Sequence, residues 1–242
     1  MLRFCVLCEA NSQPNNLGGH RGANVKQIMG LLVKKSLENG TVIGIWQMEE
    51  PADFFLQRLD LQAVEEAELA KLNGRRKLEW LASRYLVHEM LVGQGLADRV
   101  PVLKDEFGKP HLWGTPFQLS FSHSHEMVAV ILAKQPVGID IQRIVEKIDR
   151  LAAKFLGEAE MASLRSETRL EQLHFYWSAK EAVYKAHGRK QLDFRSHIFI
   201  QPFDYQMIGE TTAHILKDGN SFDYRVFYEK MNDYVLVWCE EF

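Results

Sequence analysis

The sequence has 242 residues, 46% of them apolar and 25% charged, with a formal net charge of −3. That balance suits a globular chain with a sizeable core, as one large domain or two small ones. With a pI near 6.3 it carries no broad basic footprint, so a nucleic-acid partner is not expected. Three cysteines, Cys5, Cys8 and Cys239, are too few for a disulfide framework. The lone Cys-x-x-Cys has no second pair to close a zinc site, so free thiols are expected. No apolar run reaches the roughly 18 residues that a membrane-spanning helix needs. No basic stretch followed by an apolar one opens the chain as a secretory leader would. The expectation is a cytoplasmic protein without a membrane partner.

Residues 1–40 read as a poorly ordered extension, because Asn11 to Gly22 is rich in Asn and Gly and has little to bury. Within it, Val25 to Leu37 has the weak periodicity of a short helix. Thr41 to Met48 is β-branched and aromatic and predicts a strand. Pro51 opens a helical segment to Leu59, and Asp60 to Leu72 continues as acidic helix. After the Asn73–Gly74 turn, the basic cluster Arg75, Arg76 and Lys77 starts an amphipathic helix to Leu91, with Leu78, Leu81, Tyr85, Met90 and Leu91 on its apolar face. A basic start opposes the helix dipole. A bound anion would remove that conflict, and a solvated basic turn would tolerate it.

Val100 to Leu103 predicts a short strand, and Asp105 to Pro110 a turn punctuated by Gly108 and Pro110. Phe117 to Phe121 and Met127 to Ala133 read as strands. Between them, Ser122–His123–Ser124–His125 reads as a polar turn that suits a phosphate, a metal or no ligand. Gln135–Pro136 is a break. In the strand Val137 to Gln142, alternation puts Ile139 and Ile141 on one face and Asp140 and Gln142 on the other. Asp140 must then face solvent or find a partner, since an unpaired buried carboxylate is costly.

Helices over Ile148–Phe155 and Glu158–Leu164 are split by Gly157. The strongest helical stretch runs from Arg169 to a stop at Gly188. Within it Trp177, Glu181 and Lys185 fall at successive i, i+4 positions and share one face. Lys180 and Tyr184 share a neighbouring stripe. Strands follow over Ser196–Ile200, Thr211–Leu216, Ser221–Tyr228 and Tyr234–Cys239, with a hairpin turn at Lys217–Asp218–Gly219–Asn220. Helix-rich and strand-rich runs thus occur twice. The pattern predicts an α+β fold of two halves, 41–134 and 135–242, each a small sheet packed with helices.

Four marks occur in order: Gly108–Lys109–Pro110, Ser122–His123, Gly138–Ile139–Asp140, and Trp177-x-x-Lys180–Glu181–Ala182-x-x-Lys185. Together they resemble the 4'-phosphopantetheinyl transferase superfamily, in its two-lobed monomeric type, over roughly residues 41–240. The resemblance implies two pseudo-symmetric lobes, each a small mainly antiparallel sheet with helices, and coenzyme A bound between them. It implies transfer of the phosphopantetheine arm of coenzyme A to a serine of an apo acyl or peptidyl carrier protein. Adenosine 3',5'-bisphosphate is the other product. Mg²⁺, with Mn²⁺ as a substitute, would neutralise the pyrophosphate.

By the same resemblance Asp140 and Glu181 are metal ligands, Glu181 is also the base for the acceptor serine, and Lys185 holds a phosphate. Gln142 stands where many relatives carry a glutamate, and it can offer the metal an amide oxygen but no charge. His123 would contact the 3'-phosphate of coenzyme A, with Ser122 next to it in the coenzyme A site, and Lys109 would approach the adenosine end or its phosphates. Arg75, Arg76, Lys77 and Arg84 are further candidate contacts, and Trp177 an anchor for its helix. Two other readings compete. A catalytically weak relative that only binds coenzyme A or a carrier would explain Gln142. A metal-dependent nuclease could use an Asp and a Glu-x-x-x-Lys, but the acidic pI and the helical placement of Glu181 and Lys185 count against it.

Overall fold

A computed structural model describes residues 30–189 and 191–242. The first half runs β1 (Leu31–Ser36), β2 (Val42–Gln47), α1 (Ala52–Leu56), α2 (Ala63–Leu69), α3 (Gly74–Val92), β3 (Leu103–Lys104), β4 (Pro110–His111), β5 (Gln118–Ser124) and β6 (Met127–Ala133). The second runs β7 (Val137–Arg143), α4 (Ala152–Phe155), α5 (Glu158–Ala162), α6 (Arg169–His187), β8 (Ile198–Ile200), β9 (Ile208–Lys217), β10 (Asn220–Met231) and β11 (Tyr234–Glu241). One sheet has the order β1-β2-β6-β5 and another β7-β11-β10-β9-β8, while β3 and β4 form a small ribbon. All the strand pairs are antiparallel. The fold is α+β, with antiparallel sheets packed with helices.

The main sheets are buried on both faces, which explains why β2, β6 and β11 are nearly continuous apolar runs. On β6, Val128, Val130 and Leu132 pack with α3, while Ala129, Ile131 and Ala133 face the other way. There they join Ile43 and Ile45 of β2, Ile139 and Ile141 of β7, and Leu236 and Trp238 of β11 in one apolar layer between the sheets. The second core lies on the far side of the larger sheet, where α6 buries Phe175, Tyr176, Ala179 and Val183 against Val226, Tyr228 and Val237. Asp218 and Gly219, with φ of 50° and 77°, make the β9–β10 hairpin at the expected place.

Three expectations change. Over its described part, the helix expected at Val25–Leu37 is a strand: Leu31–Ser36 pairs with β2, and Leu31 and Val33 pack into the two cores beside it. Residues 31–40 are therefore joined to the fold, not loosely ordered. Lys35 pairs with Glu229, and Asn39 Nδ2 and Thr41 Oγ1 donate to Glu240 at 2.9 and 2.8 Å. The rest of that expectation, with Cys5 and Cys8, lies outside the described residues. Second, Ser122–Ser124 is not a turn. β5 continues through Ser124, which pairs with Met127 in a tight hairpin whose turn residue His125 has φ 51°. Third, the segment before α4 is a 3₁₀ helix over Glu146–Leu151. Cys239 is a buried free thiol, and burial pushes its pKa up, which keeps it protonated and unreactive.

Candidate active site

The site begins with Gly138. A Cβ at this position would lie 1.8 Å from the backbone oxygen of Ala182, so a hydrogen is all that fits between β7 and α6. This contact sets the helix against the strand. Asp140, two residues on, points to the same side by strand alternation, and there it meets α6. Lys185 Nζ donates to Asp140 Oδ1 at 2.7 Å and to the Ile139 oxygen at 3.1 Å. Ser122 Oγ donates to the same Oδ1 at 2.7 Å. Asp140 is 1% exposed, and its Oδ2 is buried with no hydrogen-bond partner among the described residues.

Glu181 lies one helical turn before Lys185. Burial raises its pKa above the ordinary 4.5, the charge of Asp140 raises it further, and Lys185 opposes the shift. Two carboxylates thus face one region, and one has an unpartnered oxygen. Gln142 is half-buried on the same face of β7 as Asp140. Among the described residues no three of His, Cys, Asp and Glu form a closed metal cage. An open set of two carboxylates and an amide is hard, oxygen-only and anionic, which fits Mg²⁺ or Mn²⁺, since such ions retain several waters. The orphaned Oδ2 and the penalised charge of Glu181 are both features that a divalent cation would relieve.

The other residues of the helical motif divide cleanly. Trp177 packs against Phe155 and Phe194, with ring centroids 5.3 and 5.5 Å away, and anchors α6. Lys180 points into the core with no exposure. It pairs with Glu160 at 2.8 Å and donates to the oxygens of Phe194 and Ile198 at 2.8 and 2.7 Å. All three ammonium protons are used, so Lys180 ties the 193–198 loop to the helix and does not face the site.

From the first half, Lys109 reaches across to donate to the Ala186 oxygen at 2.7 Å, and burial lowers its pKa. It lines a cleft of about 220 Å³ with Lys104, Phe121, Tyr184, Lys185 and Arg189. Four of the twelve residues that line it are cationic and none is acidic, so the cleft suits a polyanion. Lys185 borders both the cleft and Asp140.

Ser122 and His123 do not act as a pair, because neighbours in a strand face opposite ways. Ser122 turns to Asp140, while His123 turns to α3, with Nδ1 3.3 Å from Glu79 Oε2 and a side chain 49% exposed. Arg75 Nε holds the other oxygen of Glu79 at 3.0 Å. Partial burial lowers the pKa of His123, against the pull of Glu79 and with some help from Lys185. Arg76 is exposed and Lys77 half-buried at the same helix start. Arg84 is not brought to the cleft surface. Its guanidinium is buried, 4.1 Å from the Trp80 ring centre and 5.2 Å from that of Phe121, with Glu68 at 3.5 Å. Burial lowers its pKa to about 10, opposed by Glu68. It therefore supports Phe121, a wall of the cleft, from beneath.

Glu79 and Glu160 escaped the reading of the sequence, and Gly138 entered it only as part of a motif, without its packing role. Glu79 was signalled by the Arg75-x-x-x-Glu79 spacing, and Gly138 by a glycine inside a strand, which marks close backbone approach. Glu160 had no local signal, since its partner Lys180 is 20 residues away.

Residues 136–239 match the family model of the 4'-phosphopantetheinyl transferase superfamily. The chain is 33% identical to the 4'-phosphopantetheinyl transferase gsp of Aneurinibacillus migulanus over 116 residues, 46% of each protein. It is 32% identical to the 4'-phosphopantetheinyl transferase AcpT of Escherichia coli O157:H7 over 122 residues, 48% of this chain and 60% of that one. To the 4'-phosphopantetheinyl transferase Sfp of Bacillus subtilis (strain 168) it is 31% identical over 88 residues, 35% of this chain and 39% of that one. The matches span about half the length of these curated relatives. The matched segment contains β7, with Asp140, and α6, with Glu181 and Lys185, so it is this second half of the chain that is similar to the 4'-phosphopantetheinyl transferase superfamily.

Proposed function

We propose that this protein transfers the 4'-phosphopantetheine arm of coenzyme A to a serine of an apo acyl or peptidyl carrier protein. The observation that carries the reading is the Asp140–Lys185 pair, which joins β7 to α6 beside a cationic cleft walled by both halves of the chain. The division into lobes 41–134 and 135–242 is part of the reading, with coenzyme A between them.

The acceptor serine oxygen attacks the β-phosphorus of coenzyme A and forms a new P–O bond. The bond to the bridging pyrophosphate oxygen breaks, and adenosine 3',5'-bisphosphate leaves. Glu181, more basic than an ordinary glutamate because of its burial, takes the serine proton. Lys185 uses two ammonium protons on Asp140 and Ile139, which leaves one for a phosphate oxygen. Lys109 and Arg189 neutralise charge along the nucleotide. His123, with Arg75, Arg76 and Lys77 at the start of α3, is the proposed contact for the 3'-phosphate. Asp140, Glu181 and Gln142 would hold a divalent cation, which when bound offsets the negative charge of the pyrophosphate.

The reading also implies a cytoplasmic monomer that serves fatty acid, polyketide or nonribosomal peptide synthesis. Gln142 favours a second reading, a catalytically weak relative that grips coenzyme A or a carrier, because it brings no charge to the cation. Mass spectrometry of a panel of apo carrier proteins, incubated with coenzyme A, Mg²⁺ and this protein, separates the two. A gain of the phosphopantetheine mass on a carrier is expected. No gain on any carrier after long incubation would leave the binding reading in its place.

A further inference from the structure

The edge strands β5 and β7 come together without a ladder of backbone bonds between them. Three serines on one face of β5 make the seam instead. Ser120 Oγ accepts from the Ile139 N–H at 3.2 Å, Ser122 Oγ donates to Asp140 Oδ1 at 2.7 Å, and Ser124 Oγ accepts from the Arg143 N–H at 3.0 Å. Only the middle contact engages an ionised group. Ser122 is short, buried at 6% exposure and mounted on a strand, so its hydroxyl has little freedom to move.

We propose that Ser122 is a positioning residue: with Lys185 it occupies Oδ1 of Asp140, and so fixes Oδ2 as the oxygen presented to the divalent cation. A carboxylate held by one flexible ammonium can turn about its Cβ–Cγ bond and offer either oxygen. A second donor on the same oxygen, from a rigid strand on another side, removes that freedom. The outcome is visible, since Oδ1 has two partners and the buried Oδ2 has none among the described residues. The arrangement also conflicts with a phosphate contact by the same hydroxyl. Serine has one donor proton, Asp140 accepts it, and a phosphate oxygen is itself an acceptor. Ser122 therefore serves the cation through Asp140, not coenzyme A directly.

The inference rests on the proposed cation site, and the test separates the two. Mn²⁺ is titrated into the full-length protein with coenzyme A present, and free Mn²⁺ is followed by electron paramagnetic resonance. Ser122→Ala is expected to weaken Mn²⁺ binding about 10–100-fold, the usual effect of losing a hydrogen bond that orients a metal ligand. Ser122→Thr, which keeps the hydroxyl, restores it, and at saturating Mn²⁺ the KM for coenzyme A stays near that of the wild type in both variants. Wild-type Mn²⁺ affinity in Ser122→Ala overturns the inference, as does a raised KM for coenzyme A with Mn²⁺ affinity intact. A residue needed only for packing would lower the Tm and leave Mn²⁺ affinity alone. If Ser122→Ala does not fold, Ser122→Cys, with a weaker donor of similar shape, is expected to show a smaller loss in the same direction. Asp140→Asn is the control. If it binds Mn²⁺ as the wild type does, the cation site itself is wrong and the inference falls with it.

Discussion

The two long helices, α3 and α6, each lie on a strand through a glycine, and the two contacts differ in kind. At Gly44 of β2 an added Cβ would meet the Met90 sulfur at 2.6 Å and the Leu86 Cδ1 at 3.0 Å, both ends of flexible side chains. At Gly138 of β7 it would meet the backbone oxygen of Ala182 at 1.8 Å and the Ala186 nitrogen at 2.9 Å. Side-chain tips can swing away, and methionine does so readily. A helix backbone cannot move without carrying every residue on it. The first contact packs a core, and the second sets the position of Glu181 and Lys185 relative to Asp140. Buried cations repeat the contrast. Lys180 on α6 has all its protons satisfied, whereas among the described residues Arg84 on α3 has no hydrogen-bond partner for Nε and only the 3.5 Å ion pair with Glu68 at Nη2. The more strictly determined helix is the one on which the proposed function places Glu181 and Lys185.

The largest expected effect separates site from scaffold. Glu181→Gln and Asp140→Asn are expected to slow transfer by about 10²–10⁴-fold, the range for losing a positioned acid–base group, while the fold survives. Near-normal turnover in either variant would remove that residue from the reaction. Lys180→Met strands Glu160 in the core and is expected to destabilise by about 3–5 kcal/mol in chemical denaturation. A loss of only about 1 kcal/mol, the worth of a surface pair, would mean that Lys180 does not anchor α6. Gly138→Ala forces strand and helix apart and is expected to lose about 1–3 kcal/mol or more, together with Mn²⁺ affinity. Gly44→Ala is expected to lose less and leave Mn²⁺ affinity intact. Equal effects at the two glycines would erase the distinction between the helices.

The smallest effect is a pH dependence. The folded pKa of Glu181 lies above its ordinary 4.5, so its contribution to stability is full below that value and is lost as pH rises through the folded pKa. Without a divalent cation, Glu181→Gln should therefore be the more stable protein near neutral pH. Its advantage should shrink on acidification toward 4.5. Denaturation curves across that range check the sign, and an advantage that grows with acid contradicts it.

The sequence made the C-terminal half of the site readable because its signals are local. The alternation of Val137–Gln142 put Asp140 opposite Ile139 and Ile141, and the i, i+4 spacing put Trp177, Glu181 and Lys185 on one face. What stayed hidden depends on partners distant in the chain. β1 is held by pairing with β2 and by the link from Lys35 to Glu229, and the turn after it by the link from Thr41 to Glu240, none of which local periodicity reports. Alternation alone could not say whether Asp140 faced water or Lys185. Ser122 read as part of a turn because the tight His125 turn lets β5 run further than its apolar residues suggest. Arg84 looked available to a ligand because an arginine stacked between Trp80 and Phe121 has no signature along the chain.

In the proposed function Asp140 and Glu181 serve one cation beside the pyrophosphate of coenzyme A. A crystal structure with coenzyme A and Mn²⁺, using anomalous scattering at the manganese edge, tests it most directly. One peak touching Asp140 Oδ2, the Glu181 carboxylate and the pyrophosphate is expected, with the nucleotide along Lys109 and Lys185. A peak away from both carboxylates, or coenzyme A bound outside this cleft, would contradict it.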